Sequence, residues 1–324
     1  MVLTPEGFSR PSVFEVRASA SLQTRPERNL KWLPIVAMGV VVIVWGVGPP
    51  TTKLITASPL IVTFIRFGLS APFLVALLWL KGSSLRLSIL KKTALPGICF
   101  GINLIFVVAT LQEATVSVLA VIGAMNPALL LMISVPLLGE RASLRQLIFT
   151  LVGVGGSVVV ILGAGSELRS SLLGVIFSSL SLVTFSAYFV LTRKARSDSA
   201  SDIDPIEWMA GINIWAFLAT VLPVALLADR KDWAEFGGND WLWIAIVAFV
   251  TGVFGHVLMT WVHGHMEVAR SSLYLLTMHL VAIGLAWPIH DEAITITQGL
   301  GGLVVLGAVA TVIATPASGV TKAR

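Results

Sequence analysis

The chain has 324 residues, of which 56% are hydrophobic and only 12% charged, against about 25% charged in an ordinary soluble domain. Ten apolar stretches of near-membrane length fill it from Lys31 to Pro316, which excludes a sizeable soluble domain. The net charge of +5 comes from basic residues scattered over short loops, which excludes a nucleic-acid-binding surface and instead fits anchoring of helix ends.

Residues 1–31 are polar, mixing Arg10, Arg17, Arg25 and Arg28 with Glu6, Glu15 and Glu27, and predict a disordered cytoplasmic tail with no secretory signal. Ten spans follow, over residues 33–52, 59–80, 93–111, 115–138, 144–164, 171–191, 207–228, 241–262, 268–289 and 294–315. Turn and charge signals separate them: Ser58-Pro59, Lys81-Gly82-Ser83-Ser84, Gly139-Glu140-Arg141, and the polar run from Ser197 to Asp204. Residues 317–324 form a short second tail. With the N-terminus inside, 17 Lys and Arg fall in cytoplasmic segments and 4 outside. This bias predicts cytoplasmic termini and supports the count of ten, since a wrong count would scramble it.

The second half echoes the first. At an offset of 152, Pro136 meets Pro288, Glu140 meets Glu292, Gln146 meets Gln298, Leu151 meets Leu303 and Gly155 meets Gly307. Slightly upstream, Gly101 meets Gly255 and Glu113 meets Glu267. The pattern predicts a five-helix unit, residues 32–165, duplicated as residues 166–316. Five is odd, so the copies enter the membrane from opposite sides. The expected fold is all-α and integral to the membrane, with ten transmembrane helices in two inverted five-helix repeats. Inverted repeats recur in secondary transporters, where a central site is exposed alternately to the two sides.

Trp45-Gly46 followed by Lys53, Arg66-Phe67, Glu113-Ala114, Pro127, Pro136 and Gly139-Glu140 resemble the repeat of the drug/metabolite transporter superfamily, in its ten-helix EamA branch. In the second copy Ser186-Ala187 and Lys194 stand where Trp45-Gly46 and Lys53 stand, and Glu267-Val268-Ala269, Pro288 and Glu292 repeat the later part. The second copy lacks the Trp-Gly pair, an equivalent of Arg66 and the Gly before Glu292. The chain looks most like bacterial exporters of aromatic and other amino acids. That resemblance implies a cavity between helices 1, 3, 4, 6, 8 and 9, and alternating access without ATP in a bacterial inner membrane.

The residues themselves narrow the chemistry. No phosphate-binding loop or zinc-protease motif occurs, and Gly153-Val154-Gly155-Gly156 sits in an apolar span as a close-packing element. His263 and His265 are two apart on a helix and point away from each other, which disfavours a metal pair. The single Cys99 packs as a small hydrophobe. None of the 17 acidic residues lies at mid-membrane, where ion-coupled carriers and cation pumps hold one.

Arg66 is the one charge well inside a span, where it meets either a substrate carboxylate or a structural partner such as Glu113 or helix-end carbonyls. His256 and His279 are either protonation sites or neutral hydrogen-bonded residues. Asn103, Asn126, Ser134, Ser178, Ser179, Thr184, Asn213 and Thr277 supply uncharged polarity at middle depth. Trp45, Tyr188, Trp215, Tyr274 and Trp287 add aromatic bodies with polar tips, and Ser186 stands at the repeat position of Trp45. Such groups line a cavity for a zwitterion, or else bond helix to helix. Asn126-Pro127 is the strongest candidate, because Pro127 frees a carbonyl near Gly123 beside an amide side chain.

The expectation is a non-enzymatic carrier of small, amino-acid-like metabolites, without cofactor or metal, partnered by the lipid bilayer and not by nucleic acid, and needing no oligomer. Multidrug or organic-cation efflux and a nonspecific channel are the alternatives. Sugar-nucleotide exchange would call for more cavity cations than Arg66, and no catalytic constellation supports an intramembrane enzyme.

Overall fold

The computed structural model describes residues 32–138, 144–162, 172–198, 203–291 and 295–313. The two tails, Gly139-Glu140 and Glu292 lie outside the described residues, as does the side chain of Ser134. Among the described residues every regular element is helical: α1 (Leu33–Thr52), α2 (Pro59–Leu80), α3 (Leu87–Lys92), α4 (Ala94–Glu113), α5 (Val116–Gly123), α6 (Asn126–Leu138), α7 (Leu144–Leu162), α8 (Leu172–Asp198), α9 (Pro205–Leu227), α10 (Arg230–Glu235), α11 (Asp240–His263), α12 (Val268–His290) and α13 (Ile296–Ile313). Seven of them, α1, α2, α4, α8, α9, α11 and α12, contain stretches long and apolar enough to cross a membrane.

Local chemistry sets the helix ends. Pro59 follows the extended Ser58 at the start of α2, where its missing N–H costs nothing. At the other end Gly82 adopts φ +70°, and the N–H groups of Gly82 and Ser83 bond back to the carbonyls of Trp79 and Leu78. This is a left-handed cap that glycine accepts without strain. The Asp204 carboxylate caps α9 by accepting from the Ile206 N–H at 2.7 Å. Burial pushes the Asp204 carboxyl upward, but the Lys81 ammonium at 2.6 Å and the capping N–H outweigh it, holding the group below its usual range.

Two sequence expectations change. The single span 115–138 is broken at Ala124-Met125 into α5 and α6, because Pro127 has no N–H for the Gly123 carbonyl one turn earlier. The span 241–262 contains a π-helical segment, Ile246–Phe254. Such wide turns leave backbone groups out of ordinary register and often accompany functional sites.

Packing pairs elements distant in sequence. α4 runs along α8 and α9, α7 along α13, α2 along α9, and α1 along α12. Gly101 lets α4 approach closely, since a Cβ there would stand 2.7 Å from the Ala216 carbonyl oxygen. At one end of the bundle Arg86 forks onto buried Glu207, at 2.9 Å from Nε and 2.7 Å from Nη2, tying the α2–α3 loop to α9. At the other end the Asp240 carboxylate accepts from Thr56 N–H and Thr56 Oγ1, each at 3.3 Å, and Gln112 Nε2 donates to the Ala57 carbonyl at 2.7 Å. The α1–α2 loop is thereby fastened to α11 and α4. Trp32, Trp79 and Trp241 lie more than half exposed near helix ends, as an interfacial belt requires.

Candidate functional site: a cavity between the helices

A cavity of about 160 Å³ opens between α1, α2, α4, α5, α6, α8, α11 and α12. On the scale where one water needs about 10–15 Å³, that holds roughly ten waters, which suits a small metabolite. Its wall is largely apolar, with Phe100, Leu104, Leu119, Leu182, Phe185 and Met278. Arg66, Asn103, Asn126, Thr251, His256 and His279 place polar groups in it.

Arg66 is the permanent cation. It is 8% exposed, and no carboxylate pairs with it among the described residues. Its guanidinium lies beside Gly252 in the π-helical segment, where a Cβ would come within 3.4 Å of Nη2. Among the described residues neither Glu113 nor another carboxylate forms an ion pair with it. Among the described residues no acidic side chain lines the cavity, so Arg66 is the charge it presents.

The two amides are anchored from behind. Asn103 Nδ2 donates to the Ser181 carbonyl at 2.8 Å, linking α4 to α8. Asn126, the first residue of α6, accepts from Ser186 Oγ at 2.8 Å through Oδ1, and the same hydroxyl lies 2.8 Å from the Leu182 carbonyl. At the break between α5 and α6 the His279 ring approaches the Gly123 backbone as a hydrogen-bond partner. Gly123 permits this, since a Cβ there would stand 2.8 Å from His279 Cε1. His279 thus meets the chain where Pro127 leaves a carbonyl unpaired.

An aromatic floor closes one end. His256 packs against Trp45 with the rings tilted 43° at 4.5 Å and meets Phe100 edge-on at 4.5 Å, while its Nδ1 shares a hydrogen bond with Tyr188 Oη at 3.2 Å. Tyr188 stacks on Phe100 at 4.7 Å. Along one face of α8 Ser181, Phe185, Phe189 and Arg193 follow at four-residue spacing. Phe189 meets the His263 ring edge-on at 4.3 Å, and Arg193 hydrogen-bonds the His263 carbonyl. Ring contacts thus run from Phe185 in the lining through Phe189 to His263.

Six of the sequence candidates therefore line the cavity: Trp45, Arg66, Asn103, Asn126, His256 and His279. Ser186 and Tyr188 stand directly behind it. Tyr274 is buried in the packed core shared with α1, and Thr277 bonds the Tyr274 carbonyl at 2.6 Å. Both are outside the lining: Tyr274 lies one turn from Met278, where the core is solid, and Thr277 is rotated about 100° from it.

Others of the polar set are structural. Asn213 accepts from Ser70 Oγ at 2.7 Å and donates to the Met209 carbonyl, and Trp215 Nε1 donates to the Leu90 carbonyl at 2.7 Å. Ser178 is buried outside the lining, while Ser179 and Thr184 bond carbonyls of their own helix. Trp287 is 58% exposed on the outer face. His263 turns into the bundle, whereas His265 stacks on Trp261 at 4.0 Å. The residues missed from the sequence are Phe100, Ser181, Phe185 and Thr251. Phe100 could have been found from its i, i+3 relation to Asn103.

Membrane-length helices around a mixed polar and apolar cavity define a membrane transport protein. The chain belongs to the EamA-like transporter family, which it matches over residues 32–162 and again over 172–314. It is similar to an uncharacterized transporter of Archaeoglobus fulgidus, 26% identical over 203 residues, covering 62% of this chain and 68% of the relative. A crystal structure of a protein with 18% sequence identity superposes with a TM-score of 0.69, covering 86% of this chain and 96% of that one. That likeness shows the fold.

Proposed function

We propose that the chain is a secondary transporter that exports amino acids, aromatic ones among them, across a bacterial cytoplasmic membrane. The observation that carries this is the cavity itself. A permanent cation without a counter-ion among the described residues, two amides and a wall of rings offer a carboxylate partner, hydrogen bonds and a bed for an apolar side chain. Organic-cation efflux fits poorly, because no lining carboxylate offsets the Arg66 charge.

The transmembrane count is ten, with α5 and α6 together forming one span and α7 and α13 two more, and both termini are cytoplasmic. Two inverted halves are supported by the pattern of packing. α4 on α8 is matched by α11 on α1, α12 on α1 by α5 and α6 on α8, and α9 on α4 by α2 on α11. Transport proceeds by alternating access, as facilitated diffusion or exchange, without ATP, and a monomer suffices. In this orientation the cavity lies toward the outer side, and the floor of Trp45, Phe100, Tyr188 and His256 closes the cytoplasmic side.

The test is flux in proteoliposomes with a panel of labelled amino acids. Saturable uptake, strongest for phenylalanine, tryptophan or other large apolar side chains, is expected. Unsaturable flux with single-channel conductance would make the chain a channel, and preferred flux of an organic cation would make it an efflux pump.

A further inference from the structure

If the cavity takes amino acids, as proposed above, the orientation of one buried amide bears on which groups it recognises. Asn103 is 2% exposed, wedged between α4 and α8. Its neighbour across the interface is the Ser181 backbone carbonyl, at 2.8 Å from Nδ2. A carbonyl only accepts hydrogen bonds, so the amide nitrogen has to face α8. Oδ1 is the free end of the amide, with no hydrogen-bond partner among the described residues, and Asn103 is part of the cavity lining. The cavity thus presents a fixed acceptor as well as the Arg66 donors.

We infer that Asn103 Oδ1 receives the ammonium group of the substrate while Arg66 receives its carboxylate, so the site demands both halves of a zwitterionic α-amino acid. The acceptor is neutral. An acidic residue here would cancel the Arg66 charge and admit bare cations, whereas an amide leaves the field positive. An amine without a carboxylate meets that field unpaired. A carboxylate without an amine leaves that oxygen without a donor, a penalty sites of this kind turn into discrimination. Phe100, one turn before Asn103 on the same helix, supplies the apolar surface for the side chain.

The experiment is direct binding to the purified full-length protein in nanodiscs, using phenylalanine, 3-phenylpropionate and phenethylamine. Phenylalanine is expected to bind at least about tenfold more tightly than either analogue. In Asn103→Leu the preference should disappear, phenylalanine binding more weakly than to the wild type and 3-phenylpropionate no more weakly. Equal binding of phenylalanine and 3-phenylpropionate to the wild-type protein, or no binding of phenylalanine, overturns the assignment. That wild-type comparison holds even if Asn103→Leu, which also loses the bond to Ser181, fails to fold. The two readings fail separately. A tenfold preference in binding without flux in liposomes removes the transport reading alone. Saturable flux with no such preference removes the Asn103 assignment alone.

Discussion

Tyr188 Oη and His256 Nδ1 are 3.2 Å apart, a hydrogen bond between α8 and α11 with both side chains buried. It holds the imidazole between Trp45 and Phe100 as the cavity floor. Tyr188→Phe keeps the ring packing and leaves a buried nitrogen unpaired, at a cost of about 1–3 kcal/mol. Thermal unfolding in detergent should show a midpoint lowered by a few degrees. An unchanged midpoint would mean the bond does not hold the floor.

Arg66 separates a binding role from a structural one. Arg66→Gln removes the charge and keeps much of the volume. Since no carboxylate among the described residues is left behind, the folded yield should hold while amino-acid affinity falls about tenfold or more. Titration calorimetry on the purified variant measures it. A collapse of yield with intact affinity in the surviving fraction would make Arg66 a packing residue.

Asn126→Ala leaves the Ser186 hydroxyl with the Leu182 carbonyl as acceptor. The stability cost is therefore about 0.5–1.5 kcal/mol, and folded protein remains abundant. Flux per folded molecule should still drop several-fold, because the amide beside the helix break is gone. Flux equal to wild type would place Asn126 outside the transport path.

Topology is testable by thiol labelling after replacing Cys99. Ser84→Cys, in the α2–α3 loop, should react only with a membrane-permeant reagent in intact cells. Lys231→Cys, on the α10 side, should react with an impermeant one. Lys231 has its side chain 82% exposed, so access is not limiting. The reverse pattern would invert the orientation.

Coupling follows from the missing acid. No carboxylate lines the cavity among the described residues, so an imposed pH gradient of one unit, worth about 1.4 kcal/mol per proton, should not drive accumulation. With the membrane potential clamped and a zwitterionic substrate, uptake should stop at equal concentrations. Tenfold accumulation abolished by a proton ionophore would refute this, and His256 and His279 would be the first residues to replace.

Much of this protein follows from one-dimensional features. Apolar runs near 20 residues dictate membrane helices wherever they occur, because unpaired backbone polar groups are too costly in hydrocarbon. Lone polar residues within those runs, such as Arg66, Asn103 and Asn126, identify themselves because the same medium penalises them. Pro127 likewise announces the helix break through its missing N–H. Tertiary structure alone decided which polar residues meet. Asn103 and Asn213 look equivalent in sequence, yet helical phase and neighbours turn one toward the cavity and seal the other against Ser70 and Met209. The π-helical turn that sets Gly252 against Arg66, and the rings from four helices that form the floor, depend on contacts between residues far apart in the chain. Those contacts exist only once the helices pack, so no local pattern encodes them.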